Sequence, residues 1–200
     1  MTQSEVEFFN RLAPEWDASE IRSTSERINA ILDLLDIENG MNVLDLGTGT
    51  GVLIPFISER IGLKGRVVGV DLSEGMLEIA CEKFGNLANV EFRKLDFEEQ
   101  SIEGLFDIIM LYSVYPHLHC PHRTIERLFN SNIRSKSGKV VVAFPSDEKF
   151  INEIHHERKS ESDLLPSAPV LAETIRSWGY SVEVAAYSNE AYVIVISRKD

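Results

Sequence analysis

Two hundred residues at 44% hydrophobic composition supply one substantial core and favour a single domain. A formal charge of −12 and the lack of any Lys/Arg-rich run argue against nucleic acid as a substrate. The opening MTQSEVEFFNRLAPEW fits no signal peptide, no later segment is apolar enough to span a bilayer, and Cys81 and Cys120 show no framework spacing. These features predict a soluble cytoplasmic protein with no membrane segment and no structural disulfide.

From Ser4 to Trp16, residues Phe8, Phe9, Leu12 and Trp16 fall near helical spacing until Pro14 interrupts them. Ser23 with Glu26 has the form of a capping box, after which Ile28, Ile31, Leu32 and Leu35 line one face up to Asn39-Gly40. Short apolar runs then alternate with helical stretches, which signals βα units and a parallel sheet. Strands are predicted at Asn42–Leu46, Arg66–Asp71, Val90–Lys94, Phe106–Leu111, Lys139–Ala143, Ser181–Tyr187 and Tyr192–Ser197. Helices are predicted over Val52–Ile61, Gly75–Phe84 (N-capped by Ser73), Ile125–Ile133 and Val170–Trp178. The connection Ser188-Asn189-Glu190 is too short for a crossover helix, so the last two strands should pair antiparallel. Residues 157–169, polar and twice interrupted by proline, read as a mobile surface loop. The expectation is an α/β, doubly wound, mostly parallel seven-stranded sheet with a C-terminal antiparallel hairpin. Residues 1–40 would form a lead-in or lid and residues 41–200 the core.

Val43-Leu44-Asp45-Leu46-Gly47-Thr48-Gly49-Thr50-Gly51 is a buried strand running into alternating glycines and then a helix. Glycine suits the sharp turn and lets backbone N–H groups approach a ligand. Asp71 closes the second strand, where such folds place a carboxylate on ribose hydroxyls. Together these point to an adenosine-containing cofactor. The dinucleotide fingerprint G-x-G-x-x-G/A is not met, because Val52 stands at its sixth position. Asp45 would repel a pyrophosphate and welcome a cation.

With these residues the chain resembles the seven-stranded, Rossmann-like class I methyltransferases, small-molecule type. Val43–Gly51 resembles their first motif, Val67–Ser73 the second, and Lys94-Leu95-Asp96-Phe97 the segment after strand three. Phe106–Ile109, Ser137–Val141 and the lead-in Phe9–Asp17 add further ordered matches. The resemblance implies S-adenosylmethionine as cofactor. Gly47, Gly49 and Gly51 would bound its methionine portion, with Asp45 near the ammonium. Asp71 would hold the ribose, Asp96 the adenine amino group, and Leu72, Met76 and Phe97 would lie around the ring. The plainer alternative is that the glycines only turn the chain, the acids only cap strands, and Leu72 and Met76 are core.

Methyl transfer asks the protein to align an acceptor, exclude water and in some cases remove a proton. The acceptor should meet the segments after strands four and five, Tyr112–His122 and Phe144–Glu157. All five histidines fall there: His117, His119, His122, His155 and His156. His117 is the favoured acceptor contact or base, followed by His155. Bound metal is not expected, since His-x-His-Cys matches no recurrent zinc spacing. Tyr-Ser-Val-Tyr-Pro after strand four is not the Asn/Asp-Pro-Pro-aromatic element of amino-group methylation on bases, which leaves a small-molecule acceptor. A non-catalytic S-adenosylmethionine-binding protein and an NAD-linked oxidoreductase are the competing readings.

Overall fold

A computed structural model describes residues 3–19, 22–157 and 164–199. Helix α1 (Gln3–Leu12) passes through a 3-10 turn at Ala13–Glu15 into the short α2 (Trp16–Ser19), and α3 (Ser25–Leu32) precedes the sheet. Strand β1 (Asn42–Leu46) is followed by α4 (Ile54–Ile61), a 3-10 turn at Gly62–Lys64, β2 (Arg66–Asp71), α5 (Glu74–Phe84) and β3 (Val90–Lys94). After β4 (Ile108–Tyr112) come a 3-10 turn at Tyr115–His117, α6 (Pro121–Ser131), β5 (Lys139–Phe144), α7 (Glu148–Glu157) and α8 (Ala168–Ser177). The hairpin β6 (Tyr180–Tyr187) and β7 (Tyr192–Arg198) ends the fold.

The seven strands form one sheet in the order β3-β2-β1-β4-β5-β7-β6. Pairs among β1 to β5 are parallel, whereas β7 runs antiparallel to both β5 and β6. This is the Rossmann-like arrangement expected from the sequence. Because β1 is followed on one side by β2 and on the other by β4, a crevice opens at their carboxyl ends, which is where ligands sit in such sheets.

Side-chain alternation along each strand builds two cores. Leu44, Leu46, Val68, Val70, Ile109 and Leu111 pack with α6 and α8, while Val43, Val67, Ile108 and Met110 pack with α3 and α4. Both faces are covered, so the strands read as continuous apolar runs. Each such side chain contributes about 1.5–3 kcal/mol on burial.

Several boundaries differ from the sequence reading. Ser23 is not the N-cap of α3: Thr24 takes that role, accepting from the Arg27 amide, and Ser23 instead bonds the Tyr112 hydroxyl at 3.0 Å. Strand β4 starts at Ile108, because Phe106 leaves the ladder to bridge Ile133. Helix α6 begins at Pro121, whose fixed φ and missing N–H suit a first turn. Helix α7 was read only as a segment after strand five; Ile151 and His155 recur at helical spacing there, but the polar residues between them mask the pattern. Of the loop expected at 157–169, residues 158–163 lie outside the described residues, Leu165 is buried, and α8 starts at Ala168. No helix among the described residues is long and apolar enough to cross a membrane.

Candidate active site

The crevice holds a pocket of about 970 Å³, its open mouth included, lined from the carboxyl ends of β1, β2 and β4 and covered by the N-terminal segment. Asp45, Gly47, Gly49, Asp71, Leu72, Met76, Asp96, Phe97 and His117 all line it. Of the predicted set, Gly51 and His155 are not in the lining.

The glycines divide by what surrounds them. All have positive φ, +69° at Gly47, +55° at Gly49 and +82° at Gly51, which disfavours any residue with a Cβ. A Cβ on Gly47 would overlap Val114, and one on Gly51 would stand 2.9 Å from the Phe84 ring, so these two also let neighbouring segments close up. A Cβ on Gly49 would meet nothing within 4 Å. Only Gly49 therefore faces open space in the pocket.

Asp71, 8% exposed, accepts from the amides of Gly49 at 2.9 Å and Ser73 at 2.8 Å, which joins the glycine turn to the start of α5. Burial raises its pKa, opposed by these amide bonds. Asp45 is 2% exposed and, among the described residues, accepts only from the Thr48 hydroxyl, at 2.7 Å. Burial, with the Asp71 charge nearby and against the Thr48 bond, pushes it up to about 7. Met76 is 2% exposed, lines the pocket and belongs to neither core cluster. Ser73 caps α5 as expected, accepting from the Met76 amide.

The lead-in is fastened over this floor at two points. Asn10 accepts from the Ser73 hydroxyl at 2.7 Å and the Gly75 amide at 3.0 Å. Asp17 accepts from the Thr50 hydroxyl at 2.5 Å and from Lys83 Nζ at 2.8 Å. Phe9 and Trp16, ring centroids 5.6 Å apart, thereby form one wall of the pocket.

The histidines do not gather into one cluster. His117 meets the edge of Phe9 and stacks on His155, which lies behind it on α7. His119 bonds Glu98, His122 stacks on Trp178, and His156 is exposed. Among the described residues no three His, Cys, Asp or Glu side chains are grouped to hold a metal.

Thr48, Glu98 and Ser113 are among the lining residues that the sequence does not single out. Thr48 is the partner of Asp45. Glu98, in the loop after β3, accepts from the amides of His119 and Cys120, both at 3.1 Å, in the segment that leads into α6. Ser113 adopts φ +57°, a strained conformation for a non-glycine residue, at the end of β4. Glu98 acts through partners distant in the chain and Ser113 through its own backbone angle, so neither is signalled locally, whereas Thr48 lies within the glycine motif, three residues from Asp45.

Residues 43–134 match the model of a methyltransferase domain. A similar curated protein is malonyl-[acyl-carrier protein] O-methyltransferase of Acetivibrio thermocellus, 30% identical over 149 residues, covering 74% of this chain and 50% of that protein. Another is the ubiquinone/menaquinone biosynthesis C-methyltransferase UbiE of Idiomarina loihiensis, 34% identical over 84 residues, 40% of this chain and 34% of that protein. The chain thus spans half or less of the length of these curated relatives. Among solved structures, a DhpI-SAM-HEP complex superposes with TM-score 0.76 at 20% identity over 97% of this chain and 96% of the other. A SAM dependent methyltransferase from Aquifex aeolicus gives 0.71 at 22% identity, covering 98% of both. These likenesses establish that the Rossmann-like fold extends over nearly all of this chain.

Proposed function

We propose that the protein is an S-adenosylmethionine-dependent methyltransferase acting on a small-molecule acceptor. The observation that carries this reading is the line of buried and half-buried carboxylates, Asp45, Asp71 and Asp96, along one pocket whose glycine turn leaves open space at Gly49. A ligand with a cationic amino-acid end, ribose hydroxyls and an adenine amino group fits that donor set in order. A pyrophosphate does not, because it would meet carboxylates where it needs donors. Asp45 would face the ammonium, Asp71 the ribose and Asp96 the adenine, with Leu72, Met76 and Phe97 supplying apolar contact. Gly47 and Gly49 would border the methionine portion, and Gly51 would act through packing on Phe84.

Bound S-adenosylmethionine supplies a methyl group already activated on a sulfonium. The chain's residues contribute alignment and dryness. Phe9 and Trp16 would cover the pocket and exclude water, and His117, on the wall beside them, would contact the acceptor and take its proton where one is lost. His155 would orient His117 through their stacking. A small acceptor suits a site roofed by the protein's own N-terminus, and four lining carboxylates suit neither nucleic acid nor other polyanions. The two cysteines, both exposed and unpaired, suit a cytoplasmic setting.

Calorimetric titration with S-adenosylhomocysteine and, separately, NADH tests the reading. Micromolar binding of the first and none of the second is expected; the reverse would replace it with a nicotinamide-dependent function.

A further inference from the structure

Asp45, one residue before the end of β1, and Asp71, which ends the neighbouring parallel β2, line the same pocket, yet they are held differently. Two main-chain amides stabilise Asp71 as a carboxylate, whereas Asp45 has one hydroxyl donor and deeper burial. Among the described residues neither forms an ion pair, and no lysine or arginine lines the pocket. A buried charge without a counter-ion is costly, and the group with fewer donors is the one that takes up a proton.

The groups facing Asp45 can be named. Its register partner on β2 is Gly69 and on β4 is Met110, neither of them ionisable. Asp71, Asp96, Glu98, Tyr112 and His117 share the pocket, and of these Asp71 adds to the effect of burial in raising Asp45 toward neutrality.

We infer that Asp45 sets the charge the site selects: on the acid side of neutrality it holds a proton in the free protein, and it gives up that proton to solvent when a ligand brings an ammonium group to it. The inference rests on the cofactor reading above and adds that cofactor uptake and proton release are one event. No covalent bond changes; the proton passes from the Asp45 carboxyl to buffer, and the incoming ammonium becomes the carboxylate's counter-ion.

Calorimetry with S-adenosylhomocysteine in buffers of different ionisation enthalpy reads the proton count. Close to one proton should leave per site at pH 6 and about half a proton at pH 7, with Kd roughly eightfold weaker at pH 6 than at pH 7.5. 5′-Methylthioadenosine, which lacks the amino-acid end, should bind without this dependence, and Asp45→Asn should abolish it for S-adenosylhomocysteine. Thr48→Val, which removes the single donor, should move the midpoint to higher pH. Binding of S-adenosylhomocysteine with heat independent of buffer overturns the inference and leaves the cofactor reading standing. Proton release that survives in Asp45→Asn assigns it to another group and also overturns it. Absence of S-adenosylhomocysteine binding overturns both.

Discussion

The imidazole of His117 stacks on that of His155, centroids 5.3 Å apart and planes 26° from parallel, so a residue after β4 is positioned by a helix that follows β5. With the edge of Phe9 at 5.6 Å, His117 is held between the N-terminal cover and α7. His117→Ala should lower melting stability by about 1 kcal/mol, the worth of such ring contacts, while leaving S-adenosylhomocysteine affinity within twofold. With an acceptor found by screening, its kcat/KM should fall 100-fold or more. Full activity in this variant would remove His117 from the chemistry.

Asp71 both faces the pocket and ties Gly49 to Ser73. Asp71→Ala should therefore lose S-adenosylhomocysteine binding by at least 100-fold and also cost about 1–3 kcal/mol of stability through the two released amides. Calorimetry alongside chemical denaturation separates the two effects; unchanged affinity would contradict the ribose-holding role.

The glycine turn makes a rescue prediction. Gly47→Ala should be strongly destabilising because its methyl overlaps Val114, and Val114→Ala in the same chain should recover a large part of the loss. Gly49→Ala should cost only about 1–2 kcal/mol of backbone strain in the free protein but should weaken cofactor binding, since its methyl enters open pocket space. Denaturation midpoints of the three variants, with and without S-adenosylhomocysteine, check this.

Removing the fastening of the lead-in by Asn10→Ala together with Asp17→Ala should raise the Kd for S-adenosylhomocysteine about tenfold and speed hydrogen exchange over Phe9 to Trp16. Unchanged exchange in that segment would show that other contacts hold the cover.

Stability of the free protein should carry the signature of Asp45. A carboxyl raised from its ordinary value of 3.8 to about 7 favours the folded state fully below about pH 4, and that contribution is lost as pH rises through about 7. Relative to Asp45→Asn, the parent chain should lose on the order of a few kcal/mol between pH 5 and pH 8. Parallel curves for the two proteins would show that Asp45 stays ionised throughout.

Much of this site is legible in the chain itself. The order of strands, the glycine turn and the acids at the ends of β1, β2 and β3 all follow from local rules: a buried strand must be apolar, a sharp strand-to-helix turn requires glycine, and polar residues collect where strands leave the core. Those rules act over a few residues, so the sequence states them directly. The N-terminal cover was legible as an amphipathic helix, though not its attachment, since Asn10 meets Gly75 and Asp17 meets Lys83 only after folding.

What the tertiary structure alone decided are the pairings of residues far apart in the chain and the burial that sets their charge. It separated five clustered histidines into one stacked pair and three unrelated surface groups, made α7 the support of His117, and bonded Glu98 to amides more than twenty residues away. It also distinguished two aspartates that look alike in sequence by giving one of them two amide donors and the other a single hydroxyl. Composition and spacing specify which groups are present; hydrogen-bond partners and solvent access, which determine what those groups do, depend on neighbours that only the folded chain supplies.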